Sequence, residues 1–175
     1  MNEKIQRQIF NILKKKGIKN FVGVPDSTMK HFIDEGLKKE KILITTREEE
    51  AIGIAAGMSM SNEKSLVFMQ NAGFANSLST ITSLIKLYEI PMILLIGWRG
   101  FLKDDAPEHE KIAKVAKFKT YKISTKEQIK KIFSKIKKEN GPICILVKIE
   151  KSSVRSIRVD ITPPNIKTRF MKSLK

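Results

Sequence analysis

Ile42-Leu43-Ile44-Thr45-Thr46-Arg47-Glu48-Glu49-Glu50-Ala51-Ile52-Gly53-Ile54-Ala55-Ala56-Gly57 passes from an apolar run, through three carboxylates, into a segment of Ala, Ile and Gly with almost no polar face. The apolar run reads as a buried strand, and a helix apolar all round reads as a buried helix. The three glutamates therefore fall where a strand ends and a helix begins. In open α/β sheets that is where ligands bind. Two roles stay open for them. Acidic side chains favour a first helical turn, where free N–H groups and the macrodipole are positive. A carboxylate pointing into a cleft can instead work as an acid or base. Spacing does not choose between these.

Outward from this stretch, strands and helices alternate. Residues 3–16 carry Ile5, Ile9, Ile12 and Leu13 on one side of a helix, and Gly17 follows as a stop. Phe21 to Val24 reads as the first strand and Pro25-Asp26-Ser27 as a turn capping a helix that buries Met29, Phe32, Ile33 and Leu37. Lys41 to Ile44 is the second strand and Ser65 to Met69 the third. Gln70 to Asn76 reads as a turn leading to a helix with Leu78, Ile81, Leu84 and Ile85. Met92 to Ile96, Thr120 to Ile123 and Ile143 to Ile149 complete six strands, with helices expected from Glu108 to about Ala116 and from Lys126 to Lys138. Such alternation predicts a three-layer αβα fold around a mostly parallel six-stranded sheet. Residues 1–150 form the expected domain. Residues 151–175, containing Ile161-Thr162-Pro163-Pro164-Asn165, read as a C-terminal tail.

The chain has 175 residues, a net charge of +16 and one cysteine, so no disulfide can form within it. Cys144 lies in an apolar run and reads as a buried thiol. The absence of a membrane-length apolar run or a leader pattern predicts a soluble, cytoplasmic protein. Nucleic acid is the first suspect for a basic chain. Here, however, the lysines are dispersed, and on the 126–138 helix they occupy the face opposite Ile129, Ile132, Phe133 and Ile136. That is a solvated face, and no zinc pattern or aromatic-studded basic strand accompanies it. Attraction of an anionic substrate or an acidic partner chain uses the charge as well.

In a parallel sheet the turns after each strand leave one edge, so Pro25-Asp26-Ser27, Glu48, Gln70-Asn71 and Arg99 converge on one rim. Asp26 and Ser27 can cap a helix or meet a carboxylate. Gln70 and Asn71 are loop hydrogen-bonders or ligand contacts, and Gly73 allows close backbone approach. Arg99 is a surface arginine or a fork for phosphonate, sulfonate or carboxylate. His109 is structural or catalytic. Asp104, Asp105, Glu108 and His109 fit no metal motif, and there is neither a Gly-x-Gly-x-x-Gly after the first strand nor a Walker loop.

Five blocks, in order, carry a resemblance. They are Gly23-Val24-Pro25-Asp26-Ser27, Arg47 to Gly57, Met69-Gln70-Asn71-Ala72-Gly73-Phe74-Ala75-Asn76-Ser77, Pro91 to Gly100, and Asp105-Ala106-Pro107-Glu108-His109. Together they resemble the pyrimidine-binding (Pyr) domain of thiamine-diphosphate-dependent decarboxylases, above all the α subunit or N-terminal half of phosphonopyruvate and sulfopyruvate decarboxylases. The resemblance implies that Glu48, nine residues before Gly57, hydrogen-bonds the aminopyrimidine of thiamine diphosphate and favours the tautomer that activates the thiazolium carbon. Glu49 and Glu50 are then first-turn residues. It also implies that Ser27 faces the substrate carboxylate, Gln70 and Asn71 border the cofactor, and His109 is an active-site histidine. Arg99 is the candidate for an anionic group at C3.

Two departures accompany it. Ala72-Gly73-Phe74-Ala75 stands where the family has a Ser-Gly-Leu-Gly-type turn. The diphosphate-binding (PP) domain, whose Gly-Asp-Gly motif and later asparagine hold Mg²⁺, has no match here. The resemblance thus implies the α subunit of a split decarboxylase in a hetero-oligomer, with a β subunit supplying the PP domain and the Mg²⁺ ligands. The expected substrate is a small anionic 2-oxo acid, with phosphonopyruvate placed ahead of sulfopyruvate. The competing class is a basic, non-catalytic nucleic-acid-binding domain.

Overall fold

A computed structural model describes residues 3–39, 41–98, 118–136, 139, 141–149 and 163–173. Six strands form one parallel sheet: β1 (Asn20–Gly23), β2 (Ile42–Ile44), β3 (Ser65–Gln70), β4 (Met92–Trp98), β5 (Lys119–Ile123) and β6 (Ile143–Lys148). Their spatial order is β2-β1-β3-β4-β6-β5. The helices are α1 (Glu3–Lys15), α2 (Lys30–Lys38), α3 (Glu48–Met60), α4 (Asn71–Asn76), the short α5 (Leu78–Thr80), α6 (Lys126–Ile136) and α7 (Pro163–Ser173). A 3₁₀ turn, Ser27–Met29, precedes α2, and a π-helical stretch, Ile81–Lys86, continues α5.

The sheet is buried on both faces, so its central strands read as continuous apolar runs. Alternate residues divide between two cores. Phe21, Leu66, Phe68, Ile93, Leu95, Ile143 and Ile145 pack with α1, α2 and α6. Val22, Val67, Met69, Leu94, Ile96, Trp98, Cys144 and Leu146 pack with α3, α4 and the π-helical stretch. Burial pushes the Cys144 thiol up to about 12, so it is an inert core group. On α6 the buried stripe is Ile129, Ile132, Phe133 and Ile136, as its periodicity predicts.

Side chains absent from any hydrophobic pattern lock α1 to α2. Gln6 lies on the buried stripe of α1. Its amide Nε2 donates to the Thr28 carbonyl at 3.0 Å, and its Oε1 accepts from the His31 and Phe32 N–H groups at 3.1 and 3.3 Å. The start of α2 is therefore capped by a different helix, which satisfies N–H groups that its own sequence leaves open. Beside it, Glu35 receives Arg7 at 3.3 Å, Asn11 at 3.1 Å and Lys39 at 2.7 Å. These donors, Lys39 first, hold the Glu35 carboxyl down at about 2.

Four expectations are corrected. Strand β2 is an edge strand, with Leu43 44% and Ile44 38% exposed, because only β1 pairs with it. Helix α3 is buried on one side only, since Gly53, Gly57 and Met60 are exposed. Leu37 is exposed on α2. The stretch from Asn71 to Asn76 is a short helix rather than a turn. The C-terminal segment also contains a helix, α7, whose start at Pro163-Pro164 suits the fixed φ of proline in a first turn. The helix expected at Glu108 to Ala116 lies outside the described residues.

Candidate active site

All six strands run the same way, so the ends of β1, β2, β3 and β4 share the carboxyl edge of the sheet. The order of the strands brings the ends of β1, β3 and β4 side by side. The candidate site residues that the structure describes lie there.

The three glutamates of α3 have three different surroundings. Glu50 reaches back over the helix start, where its Oε2 accepts from the Thr46 N–H at 3.1 Å and from the Thr46 hydroxyl at 3.0 Å. The backbone hydrogen bond from Thr46 lowers its pKa. It is a capping residue in the sense of a capping box. Glu49 lies 3.7 Å from the Nε of Arg47, an ion pair at the surface. Glu48 is half-buried, and its carboxylate lies directly on Gly73 of α4. A Cβ built on Gly73 would stand 2.3 Å from Glu48 Oε1 and 2.6 Å from its Cδ. Thr45 anchors the turn that feeds Glu48, donating its N–H to the Gly23 carbonyl at 3.0 Å and its hydroxyl to the Arg47 carbonyl at 3.2 Å.

Gly73 therefore occupies a helix position where alanine is ordinarily better by about 1 kcal/mol. Close approach explains it, as the sequence anticipated, but the approaching group is Glu48 itself. Asn71 opens α4 and is buried, while Gln70, the last residue of β3, is half-buried and registers opposite Gly97 of β4.

The turn after β1 reaches the same rim from the other face. Asp26 Oδ1 accepts the Thr28 N–H at 3.0 Å, and its Oδ2 accepts the Thr28 hydroxyl, so both carboxylate oxygens are engaged within the turn. Ser27 is exposed. A Cβ on Gly97 would meet Met29 Cγ at 2.9 Å and Thr28 Oγ1 at 3.0 Å. The absence of a side chain at Gly97 thus lets this turn fold down over the end of β4.

The structure sets Glu48 against Gly73, with Gln70 and Asn71 at the end of β3 just before it, and the turn carrying Asp26 and Ser27 lies at the same edge with its Thr28 and Met29 against Gly97 of β4. Arg99 and His109 lie outside the described residues. Sequence reasoning missed Gln6, which holds the 26–29 turn through Thr28. The signal was there: a glutamine in the apolar series Gln6, Ile9, Phe10, Leu13 has to find partners. A cavity of about 270 Å³, lined in part by Leu13, Ile18, Met92 and Phe133, opens at the opposite edge, far from this rim. Among the described residues no group of His, Cys, Asp and Glu is arranged to hold a metal, and no helix is long and apolar enough to cross a membrane.

Comparison with known proteins bears on the family and the fold. The family model described as thiamine pyrophosphate enzyme, N-terminal TPP binding domain, matches residues 3–120. The chain is 37% identical to the sulfopyruvate decarboxylase subunit alpha of Methanocaldococcus jannaschii over 134 residues, which are 71% of this chain and 79% of that protein. It is 29% identical to the phosphonopyruvate decarboxylase of Streptomyces hygroscopicus over 102 residues, 57% of this chain and 25% of that protein. Among solved structures, benzoylformate decarboxylase from Polynucleobacter necessarius superposes with a TM-score of 0.67 at 18% identity, over 97% of this chain and 36% of that one.

Proposed function

We propose a function from one premise: the chain belongs to the thiamine pyrophosphate enzymes, as their N-terminal TPP-binding domain. On that premise it is the α subunit of a split 2-oxo acid decarboxylase, acting on a pyruvate that carries a second anion at C3. The observation that carries this reading is the sorting of the three glutamates. Glu50 caps its helix and Glu49 pairs with Arg47, while the Glu48 carboxylate is pressed against a glycine at the ligand-binding rim.

Glu48 suits the cofactor's aminopyrimidine in chemistry and place. A half-buried carboxylate is a strong acceptor and can hold a proton on a ring nitrogen. Gly73 keeps it in position, and Gln70 and Asn71 border the same space. When bound, thiamine diphosphate supplies a carbanionic carbon and an electron sink for the departing carboxylate. Ser27 is assigned to the substrate carboxylate, Asp26 to the turn that presents it, and Arg99 and His109 to the substrate's anionic end. The diphosphate and its Mg²⁺ are assigned to a partner chain carrying the PP domain, whose Gly-Asp-Gly motif has no match in this sequence.

The substrate order expected from the sequence put phosphonopyruvate first. The relatives support both acids, and one observation favours sulfopyruvate: the M. jannaschii protein named a subunit alpha matches over 79% of its length, whereas the S. hygroscopicus protein matches over 25%. The test is to assay carbon dioxide release from both acids with thiamine diphosphate and Mg²⁺, using this chain alone and with a PP-domain chain. Turnover is expected only from the pair. Robust turnover by this chain alone would overturn the split arrangement, and no turnover of either acid by the pair would overturn the decarboxylase reading.

A further inference from the structure

At the edge of the sheet opposite Glu48, the cavity of about 270 Å³ runs under the amino ends of β3, β4 and β6, where α1, α3 and α6 end. Leu13, Ile18, Ile93, Phe133 and Ile136, all buried, supply its apolar walls. An apolar cavity of ~150 Å³ takes a benzene ring, so this one has room for about ten non-hydrogen atoms.

Ser59, in the last turn of α3, lines the same cavity. It is only 5% exposed, and its hydroxyl is buried without a hydrogen-bond partner. Alanine at this position would favour the helix and leave nothing unpaired, so the packing of α3 does not account for a serine. A ligand oxygen entering beside it would give the hydroxyl its acceptor.

The surrounding charges decide the sign of such a ligand. Glu63 is engaged by Asn20 at 2.7 Å and by Lys19 at 3.6 Å. Glu139 is engaged by the Tyr121 hydroxyl and by Lys119 at 2.9 Å. Carbonyls at the helix ends are closed off as well. That of Leu13 accepts from the Lys16 and Ile18 N–H groups, and that of Met58 accepts from the Glu63 N–H. Lys16 and Lys64 also line the cavity, are exposed and have no ion pair among the described residues. The lining thus combines apolar walls, one buried hydroxyl and two uncommitted cations.

We propose that this cavity is a binding site for a small apolar monocarboxylate. The apolar body lies against Leu13, Ile93 and Phe133, and the carboxylate takes the Ser59 hydroxyl and the charges of Lys16 and Lys64. Ser59 and Glu48 lie near opposite ends of α3, about 16 Å apart along its axis at ~1.5 Å per residue. The site does not depend on the decarboxylase reading.

The probe is 3-phenylpropionate, titrated into the full chain by calorimetry beside the neutral 3-phenylpropanol, the cationic 3-phenylpropylamine and acetate. One saturable site is expected for 3-phenylpropionate. The alcohol should bind at least ~10-fold more weakly, and the amine and acetate should not saturate. The double variant Lys16→Met, Lys64→Met keeps both stems and changes only exposed positions. It should weaken the acid by ~10-fold or more and leave the alcohol within about twofold. Ser59→Ala should weaken the acid by ~3- to 10-fold with Tm unchanged or raised, which a serine needed for packing would not show. Equal binding of acid and alcohol, a preference for the amine, unchanged acid binding in either variant, or no saturable binding of the acid would each overturn the proposal. No turnover is read, so its failure leaves the decarboxylase reading untouched.

Discussion

Gly73 and Glu48 share one space. The Glu48 carboxylate fills the volume a side chain at Gly73 would need, its Oε1 2.3 Å from where a Cβ would stand. The glycine thus acts on the site through the glutamate. Gly73→Ala should favour α4 by up to about 1 kcal/mol, since Gly73 has no left-handed backbone to lose. It should displace the Glu48 carboxylate at the same time. The expected result is an unchanged or raised Tm with turnover of the assembled enzyme reduced by ~100-fold or more, general acid–base roles contributing on that scale. Thermal unfolding and steady-state kinetics on one preparation check both halves.

The glutamates should separate by assay. Glu48→Gln should slow deuterium exchange at the thiazolium carbon of bound cofactor and leave Tm close to wild type. Glu50→Gln should lower Tm, because its carboxylate accepts from the Thr46 N–H and hydroxyl, and leave exchange unchanged. Glu49→Gln should be nearly silent in both, as exposed ion pairs contribute little. A dead Glu50→Gln enzyme with an active Glu48→Gln enzyme would reverse the assignment.

Glu35 should make the fold acid-sensitive. Its carboxyl is held at about 2 in the folded chain against an ordinary 4.5. A depressed carboxylate stabilises the folded state fully above its unfolded pKa. That contribution is lost as pH falls from about 4.5 towards 2. Urea midpoints should therefore fall across this window in the wild type and more gently in Glu35→Gln. The two proteins should differ most near neutrality and converge at the acid end.

Gln6→Leu should leave the His31 and Phe32 N–H groups without their acceptor and the Thr28 carbonyl without its donor. Loss of buried partners costs about 1–3 kcal/mol. Because Thr28 belongs to the turn holding Asp26 and Ser27, KM for the 2-oxo acid should rise with the loss of stability. A variant with full stability and a raised KM, or the reverse, would separate the two roles assigned to Gln6.

How much of this was legible in the sequence differs from residue to residue. Continuous apolar runs and helical stripes such as Ile129, Ile132, Phe133 and Ile136 are local patterns. They sufficed for a parallel αβα fold, and the order of the motifs singled out Glu48 as the candidate. Exposure of β2 was not legible, because an apolar triplet reads alike in a central strand and at an edge. Only the strand order decides which strand lacks a second neighbour. Gln6 left a trace as a polar residue in an apolar stripe, but its partners lie 22 to 26 residues away. The separate fates of Glu48, Glu49 and Glu50 were likewise beyond spacing, since adjacent residues of a first turn share one composition and one dipole. Sequence by itself determined the elements, their alternation and the rim to which the polar turns go, because these follow from local periodicity and the direction of parallel strands. Tertiary structure alone decided which carboxylate rests on Gly73, which turn settles over Gly97 and which lysine lies over the Trp98 ring, because each depends on contacts between segments that only packing brings together.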